Sequence, residues 1–234
     1  MKKYIILIFT AALVMVCNSQ AQNKEEQAKT EMQTTKTKIM DSEVIKLVAP
    51  QETGATLLDA MKNRTSVREY ANEELTLEQL SGILWATSGQ NRPDGKHTTP
   101  SAMGLYPIKV YAILPSGIYL YDSKEHHLTL VKKGDHRQMA GTQEFVYTAP
   151  LNLMYIADLQ RFDERKPAYP TENERLFVSA LDAGHYSQSA ALWATANGMG
   201  SVPRGWTNGE KFLETIGAPE SYRAVLAQTF GIMK

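Results

Sequence analysis

Residues 64–70 read Arg-Thr-Ser-Val-Arg-Glu-Tyr, and this stretch is the most informative part of the 234-residue chain. Arg64 and Arg68 place two guanidinium groups four residues apart, with the hydroxyl of Ser66 and several backbone amides between them. Guanidinium groups are permanently charged, forked donors that match phosphate oxygens, and a serine hydroxyl adds a shorter hydrogen bond. The pattern predicts a grip on a phosphate monoester. A solvated basic turn after a helix is the alternative that these residues alone leave open.

Helical patterns flank this stretch on both sides. Upstream, Thr56–Lys62 carries leucine and methionine side chains at helical spacing. Downstream, Thr76-Leu77-Glu78-Gln79 is a capping-box pattern that opens a helix ending near Ser88-Gly89. The phosphate-type segment is therefore predicted to lie between two helices.

Strand patterns dominate the middle and the end of the chain. Two apolar runs around the turn Pro115-Ser116-Gly117 predict a hairpin. An alanine-rich helix closes at Gly198, and a second capping box at Thr207–Glu210 opens a short helix that stops at Gly217. Because strands and helices do not alternate strictly, the fold class is predicted to be α+β. The predicted strands are 109–114, 118–121, 128–131, 150–157 and 224–233, and the alanine-rich helix is 183–197.

The glycine-rich stretch Gly198–Gly205 does not have the context of a dinucleotide-binding loop, because it follows a helix rather than a strand. Its glycines allow the backbone to approach a flat ligand closely. The five histidines show no metal-ligand spacing, and no Gly-x-Ser-x-Gly motif is present. The sequence therefore predicts neither a metal site nor a nucleophilic hydrolase.

Composition and the N-terminal residues limit the possible function classes and predict where the protein is located. The formal net charge of zero argues against a general nucleic-acid binder, and a single cysteine excludes an intramolecular disulfide framework. Lys2, Lys3 and the 13-residue run Tyr4–Val16 are typical of a secretory signal peptide cleaved after Ala21. The run is too short to span a bilayer comfortably. We therefore expect a signal peptide at 1–21, a flexible linker at 22–41, one domain at 42–234, and export to the periplasm. Lipidation at Cys17 is the alternative.

The order of these features resembles the flavin-dependent nitroreductase family, and most closely its branch of SagB-type peptide-azoline dehydrogenases. The resemblance runs from about Ile45 to the C-terminus. Met103 stands where this branch often has glycine. Besides residues 64–70, the resemblance rests on Trp85–Gly89, Pro100–Pro107, Gly117–Asp122, Leu181–His185, Ala194–Gly200 and Thr229–Gly231.

The resemblance implies a central, mostly antiparallel sheet flanked by helices, in a homodimer that shares its FMN sites. It places the FMN phosphate on the 64–68 segment, the flavin ring against residues 100–102 of the partner subunit, and its reactive edge beside a backbone amide near Gly205. Lys234 is a further basic phosphate contact. The implied cofactor-binding residues are Arg64, Thr65, Ser66, Arg68, Pro100, Ser101, Ala102, Pro203, Arg204, Gly205 and Lys234.

Three functions are consistent with this resemblance. The first is an exported FMN-dependent oxidoreductase that passes electrons from NAD(P)H to an electron-poor acceptor such as a nitroaromatic compound or a quinone. The second is a dehydrogenase of an azoline or another small heterocycle. The third is a non-enzymatic flavin-binding protein. Because the flavin carries the redox chemistry, no side chain is assigned as a catalytic acid or base.

Overall fold

Seven strands form one sheet in which every pair of neighbouring strands is antiparallel. The computed structural model describes residues 42–52, 54–165 and 168–234. The order of strands across the sheet is β1-β4-β3-β2-β5-β7-β6. The strands are β1 (Val44–Lys46), β2 (Ile108–Leu114), β3 (Gly117–Asp122), β4 (His127–Lys133), β5 (Leu151–Asp158), β6 (Met199–Arg204) and β7 (Tyr222–Ile232).

Five α-helices lie among the described residues, and three of them begin at a complete capping box. The side chains of Thr56, Thr76 and Thr171 each accept a hydrogen bond from the backbone amide of the third helical residue, whose side chain in turn accepts one from the backbone amide of the cap. Short 3-10 helices occupy Ala102–Gly104, Arg137–Ala140 and Leu159–Arg165. The α-helices are α1 (Leu57–Asn63), α2 (Leu77–Ser88), α3 (Glu144–Thr148), α4 (Glu172–Ala196) and α5 (Gly209–Thr215).

The two faces of the sheet carry different layers, as neighbouring residues of β7 show. Gln228 donates a hydrogen bond from its side chain to the carbonyl oxygen of Ser187 in α4. Ala227 belongs instead to the hydrophobic cluster that contains Phe212 of α5. Successive strand residues point to opposite faces. The long helix α4, on which α1 and α2 also pack, therefore covers one face, and α3 and α5 contribute to the hydrophobic cluster on the other.

The structure confirms the α+β fold, the helices at 57–63 and 77–88, and the hairpin of β2 and β3. One cap prediction is wrong. The last helix begins after Asn208 rather than Thr207, and no side chain caps it. The alanine-rich helix begins at Glu172 rather than Ala183, because the capping box at Thr171 starts it.

The predicted signal peptide, with Cys17, and the predicted linker lie outside the described residues. Within the part of the chain that is described, no helix is both long and apolar enough to cross a bilayer.

Candidate functional site

The 64–70 segment lies along the edge of the sheet. Ser66 forms a parallel bridge with Ser201 of β6, and the amide of Val67 donates to the carbonyl oxygen of Ser201 at 3.1 Å. Tyr70 forms an antiparallel bridge with Met233, just beyond β7. The tyrosine hydroxyl donates to the carbonyl oxygen of Val67 at 2.6 Å. These contacts hold the segment extended against β6 and the end of β7.

Two glycines make this close approach possible. A Cβ atom at Gly200 would lie 2.6 Å from the Cβ of Val67, and one at Gly231 would lie 2.7 Å from the ring of Tyr70. Real Cβ atoms do not come so near to other atoms, so any side chain there would push the segment away from the strands. Gly200 belongs to the stretch that was predicted to approach a flat ligand. In the structure it instead lets the arginine-bearing segment pack closely on β6.

The side chains around Val67 differ in exposure. Val67 packs on Gly200 and is partly buried, whereas Ser66 and Arg68 are exposed. Arg64, two residues before Ser66, is partly exposed at the end of α1. Within the described ranges, neither guanidinium pairs with a carboxylate.

The remaining candidates at this edge are Thr65 and Lys234. Both are exposed. Lys234 directly follows Met233, the partner of Tyr70, which places the last residue of the chain at the same edge as Arg68.

The 203–206 segment continues β6 to the surface. Pro203 and Gly205 are exposed, and Trp206 is 81% exposed. Arg204, in contrast, is buried, with 7% of its surface accessible. Ser201, at the level of Ser66, is four residues from Gly205, which corresponds to roughly 13 Å along a strand. The arginine-bearing segment and the glycine edge therefore occupy the two ends of one strand.

The Arg204 guanidinium is held by neutral acceptors. It donates to the carbonyl oxygen of Ala140 at 2.7 Å, to Oγ1 of Thr229 at 2.7 Å and to Oδ1 of Asn152 at 3.4 Å. Its Nε has no hydrogen-bond partner among the described atoms. Burial lowers the pKa of Arg204 to about 10, so the side chain is still charged at neutral pH. The side chain of this predicted cofactor residue thus points into the protein, and only its backbone runs along the surface.

A buried carboxylate anchors the loop that contains Pro100, Ser101 and Ala102. Asp182 of α4 accepts a hydrogen bond from Ser101 Oγ at 2.5 Å and another from the amide of Ala102 at 3.2 Å. Ser101 Oγ also accepts from the amide of Tyr106 at 2.9 Å. The serine hydroxyl is therefore occupied within the chain, while Pro100 stays exposed.

The same loop has a strained backbone. Met103 and Tyr106 have φ angles of 54° and 47°, and Gly104 between them has 67°. Left-handed conformations are unfavourable for residues with a side chain, and they persist where the surroundings enforce them, often at functional sites. The positive φ of Met103 is a conformation that would suit glycine, the residue that the resemblance led us to expect here.

Sequence reasoning missed the role of Asp182. Burial raises its pKa, against the hydrogen bonds from Ser101 and Ala102, which lower it. The available signal was an acidic residue within the alanine-rich helix. Its partners lie about 80 residues earlier in the chain, however, and only the fold brings them together.

Comparisons with known proteins identify the fold and the family. The nitroreductase family model matches residues 61–232. The chain belongs to the nitroreductase family. It is 31% identical over 159 residues to the "putative nitroreductase" of Methanocaldococcus jannaschii, covering 64% of this chain and 78% of that one. A crystal structure of a "putative nitroreductase" from Ralstonia eutropha is 37% identical, with a TM-score of 0.76, and covers 83% of this chain and 91% of that one.

A third relative of this nitroreductase-family chain is the "FMN reductase [NAD(P)H]" of Bacillus subtilis. It is 24% identical over 173 residues, covering 70% of this chain and 60% of that protein. The family assignment makes the chain a flavin-dependent oxidoreductase with an α+β nitroreductase-like fold. The SagB-type branch remains a prediction, as do the individual cofactor contacts.

Proposed function

We propose that this protein is an exported, FMN-dependent oxidoreductase that passes electrons from NAD(P)H to an electron-poor acceptor, a nitroaromatic compound or a quinone. One observation carries the proposal. Arg64, Ser66 and Arg68 lie on one segment at the edge of the sheet, where Ser66 and Arg68 are exposed and no carboxylate among the described residues pairs with either arginine. Such a pair of free guanidinium groups suits a phosphate monoester.

The rest of the site fits the other parts of FMN. The phosphate would bind Arg64, Ser66 and Arg68, and the ring would reach the exposed edge at Pro203 and Gly205, at the far end of β6. A fixed backbone donor at Gly205 would hold the ring edge without a side chain that titrates. FMN supplies the redox chemistry, accepting electrons from the nicotinamide and passing them to the acceptor. The chain binds and orients the two substrates and excludes water.

A second copy of the chain would complete the site. Large apolar side chains are exposed on α1 and α4, two helices that pack on each other. The loop of Ser101 is anchored to α4 through Asp182, so its exposed Pro100 lies beside this surface. We therefore propose a homodimer in which residues 100–102 of one subunit contact the flavin bound to the other. The exposed apolar residues are Leu57, Leu58 and Met61 of α1, Phe177 and Leu181 of α4, and Met103 of the loop.

Export is part of the proposal and rests on the N-terminal pattern of Lys2, Lys3 and the apolar run that follows. A reporter fused to the full-length chain should appear in the periplasm. Deletion of residues 2–21 should keep it in the cytoplasm.

The decisive experiment is a flavin spectrum of the purified protein after reconstitution with FMN, followed by anaerobic titration. We expect the bound FMN to be bleached by NADH or NADPH and restored by a nitroaromatic compound or a quinone. Protein that retains no FMN would contradict the proposal. FMN that stays oxidised with both nicotinamides would indicate a flavin-binding protein, and faster bleaching by an azoline would indicate a heterocycle dehydrogenase.

A further inference from the structure

We propose that the buried guanidinium of Arg204 is the positive charge that favours the reduced form of FMN in this protein. The inference rests on the proposed function, because it requires FMN at the edge formed by residues 203–205. It assigns to Arg204 a positioning role, in which a charge buried beneath the surface acts electrostatically on the bound cofactor.

Arg204 carries a charge that the described part of the chain does not neutralise. Its hydrogen-bond partners are a backbone carbonyl, a hydroxyl and a side-chain amide, on Ala140, Thr229 and Asn152. No carboxylate in the described ranges forms an ion pair with it. An ionised group that is taken out of water without a counter-ion is costly, so a role in packing alone would favour an apolar residue.

The surroundings are shaped for a guanidinium. A Cβ at Gly141 would collide with Nη1 of Arg204, so this position accepts only glycine while the arginine is in place. The ring of Phe145 lies 5.8 Å from the guanidinium carbon, which supplies a favourable cation–π contact. These contacts hold the guanidinium charge in a defined position.

The titratable groups that act near Arg204 leave the electrostatic potential around its guanidinium positive. The Tyr70 hydroxyl lies close enough to couple with it, but burial raises the pKa of Tyr70, so the phenol stays neutral. Arg68 adds a second positive charge that also acts on Tyr70. No carboxylate of the described residues pairs with Arg204, and Arg204 is one residue from the proposed Gly205 contact.

Reduced FMN would supply a negative charge at this edge. Two electrons and one proton from NAD(P)H, which would leave as NAD(P)⁺, would give the flavin ring one negative charge more than its oxidised form. A positive charge fixed nearby in a region of low dielectric constant stabilises this form relative to the oxidised one. Arg204 therefore raises the reduction potential of the bound cofactor.

The test compares Arg204→Gln with Arg204→Lys in the FMN-reconstituted protein. Both variants disturb the hydrogen bonds, but only Arg204→Gln removes the charge. The readouts are the dissociation constant of oxidised FMN and the midpoint potential of the bound cofactor, which together give the affinity for reduced FMN. In Arg204→Gln we expect the preference for reduced over oxidised FMN to fall about tenfold, which is ~30 mV for a two-electron couple. Arg204→Lys should stay near the wild type at neutral pH. An unchanged potential in Arg204→Gln, or an equal fall in both variants, would overturn the proposal.

A second measurement covers the case in which Arg204→Gln does not fold. A buried lysine loses its proton more readily than arginine does. In Arg204→Lys, therefore, the preference for reduced FMN should decline between pH 7 and about pH 10 more steeply than in the wild type, and parallel curves would contradict the role of the charge. Wild-type protein that binds no FMN at all would refute the proposed function instead, so the two failures are distinguishable.

Discussion

Ser66 and Arg68 are exposed on either side of Val67, a residue whose role is packing. The side chain of Val67 occupies the space above Gly200 and so seats the segment on β6. The sequence predicted a phosphate grip from two arginines around a hydroxyl, with a solvated basic turn as the alternative. It could not predict where this segment lies in the fold, because its seat is a packing contact with a residue more than 130 positions away.

Substitution of Arg68 by alanine tests the phosphate contact. Loss of a hydrogen bond to a charged group costs about 1.5–3 kcal/mol, so the dissociation constant of FMN should rise about 10- to 100-fold. Riboflavin lacks the phosphate, and its affinity should not change. Both constants follow from titration of the flavin fluorescence. Lys62→Ala, which removes an exposed cation at the end of α1, is the matched control and should leave FMN binding intact.

The buried carboxyl of Asp182 leads to a prediction about how the free energy of unfolding depends on pH. Burial raises its pKa above the ordinary value of 3.8. The protonated acid is therefore favoured in the folded state, and the associated stability is lost as the pH rises through the pKa of Asp182. Asp182→Asn has no such group, so the free energy of unfolding of the wild type should fall relative to this variant as the pH rises from about 4. Denaturant unfolding at several pH values measures the difference.

The control for this prediction has the opposite sign. The hydrogen bond from Lys96 lowers the pKa of Asp94, so the wild type should gain stability relative to Asp94→Asn as the pH rises toward 3.8 and should keep this gain at higher pH. A wild-type curve that rises against Asp182→Asn would contradict the role of burial. Asp182→Asn should also weaken FMN binding about tenfold, because it disturbs the hydrogen bond to Ser101.

At the scale of elements, the capping box at Thr76 was predicted correctly, the one at Thr207 was wrong, and irregular strands were the main failure. Thr76 and Gln79 predict the start of α2, because a capping box is a local interaction. Strand β6 contains Gly200 and Pro203, which local propensity disfavours in a strand. It forms because β6 is an edge strand, where proline is tolerated, and because Gly200 admits Val67.

Gly200→Ala tests the seat of the 64–70 segment. The added Cβ would lie 2.6 Å from the Cβ of Val67, and overpacking of this kind costs about 1–3 kcal/mol. We expect a lower unfolding temperature and weaker FMN binding together, since the displaced segment carries the phosphate ligands. The double variant Gly200→Ala/Val67→Ala relieves the contact and should recover part of both losses. Loss of stability with FMN affinity unchanged would argue against the seat.

At the scale of the whole molecule, the resemblance predicted the sheet and its flanking helices, and it implied the dimer. The helix pattern at Leu57, Leu58 and Met61 was readable, but its apolar face is exposed rather than buried in the described chain. The sequence shows that a residue is apolar, but it does not show whether that residue is buried by the same chain or by a second one. Large exposed apolar surfaces are uncommon on monomers and mark interaction sites.

Phe177→Glu tests the homodimer. Phe177 is 64% exposed on α4, and a carboxylate there would have to be desolvated at the interface of two copies. We expect a monomer in analytical ultracentrifugation and a loss of bound FMN, because the partner's side of the site would be missing. Val131→Glu, on the exposed strand β4, is the control and should stay dimeric. A wild-type monomer that holds FMN would refute the shared site.

The exposure of Trp206 gives the protein an internal optical probe. Trp85 and Trp193 are partly buried, whereas Trp206 stands in solvent beside Gly205. Tryptophan emission overlaps flavin absorption, so cofactor that arrives at this edge should quench the emission of Trp206 by energy transfer. Replacement of Trp206 by phenylalanine should remove most of the quenching while flavin absorbance still reports binding. Stopped-flow fluorescence of the unlabelled protein would then follow the loading of the site in real time.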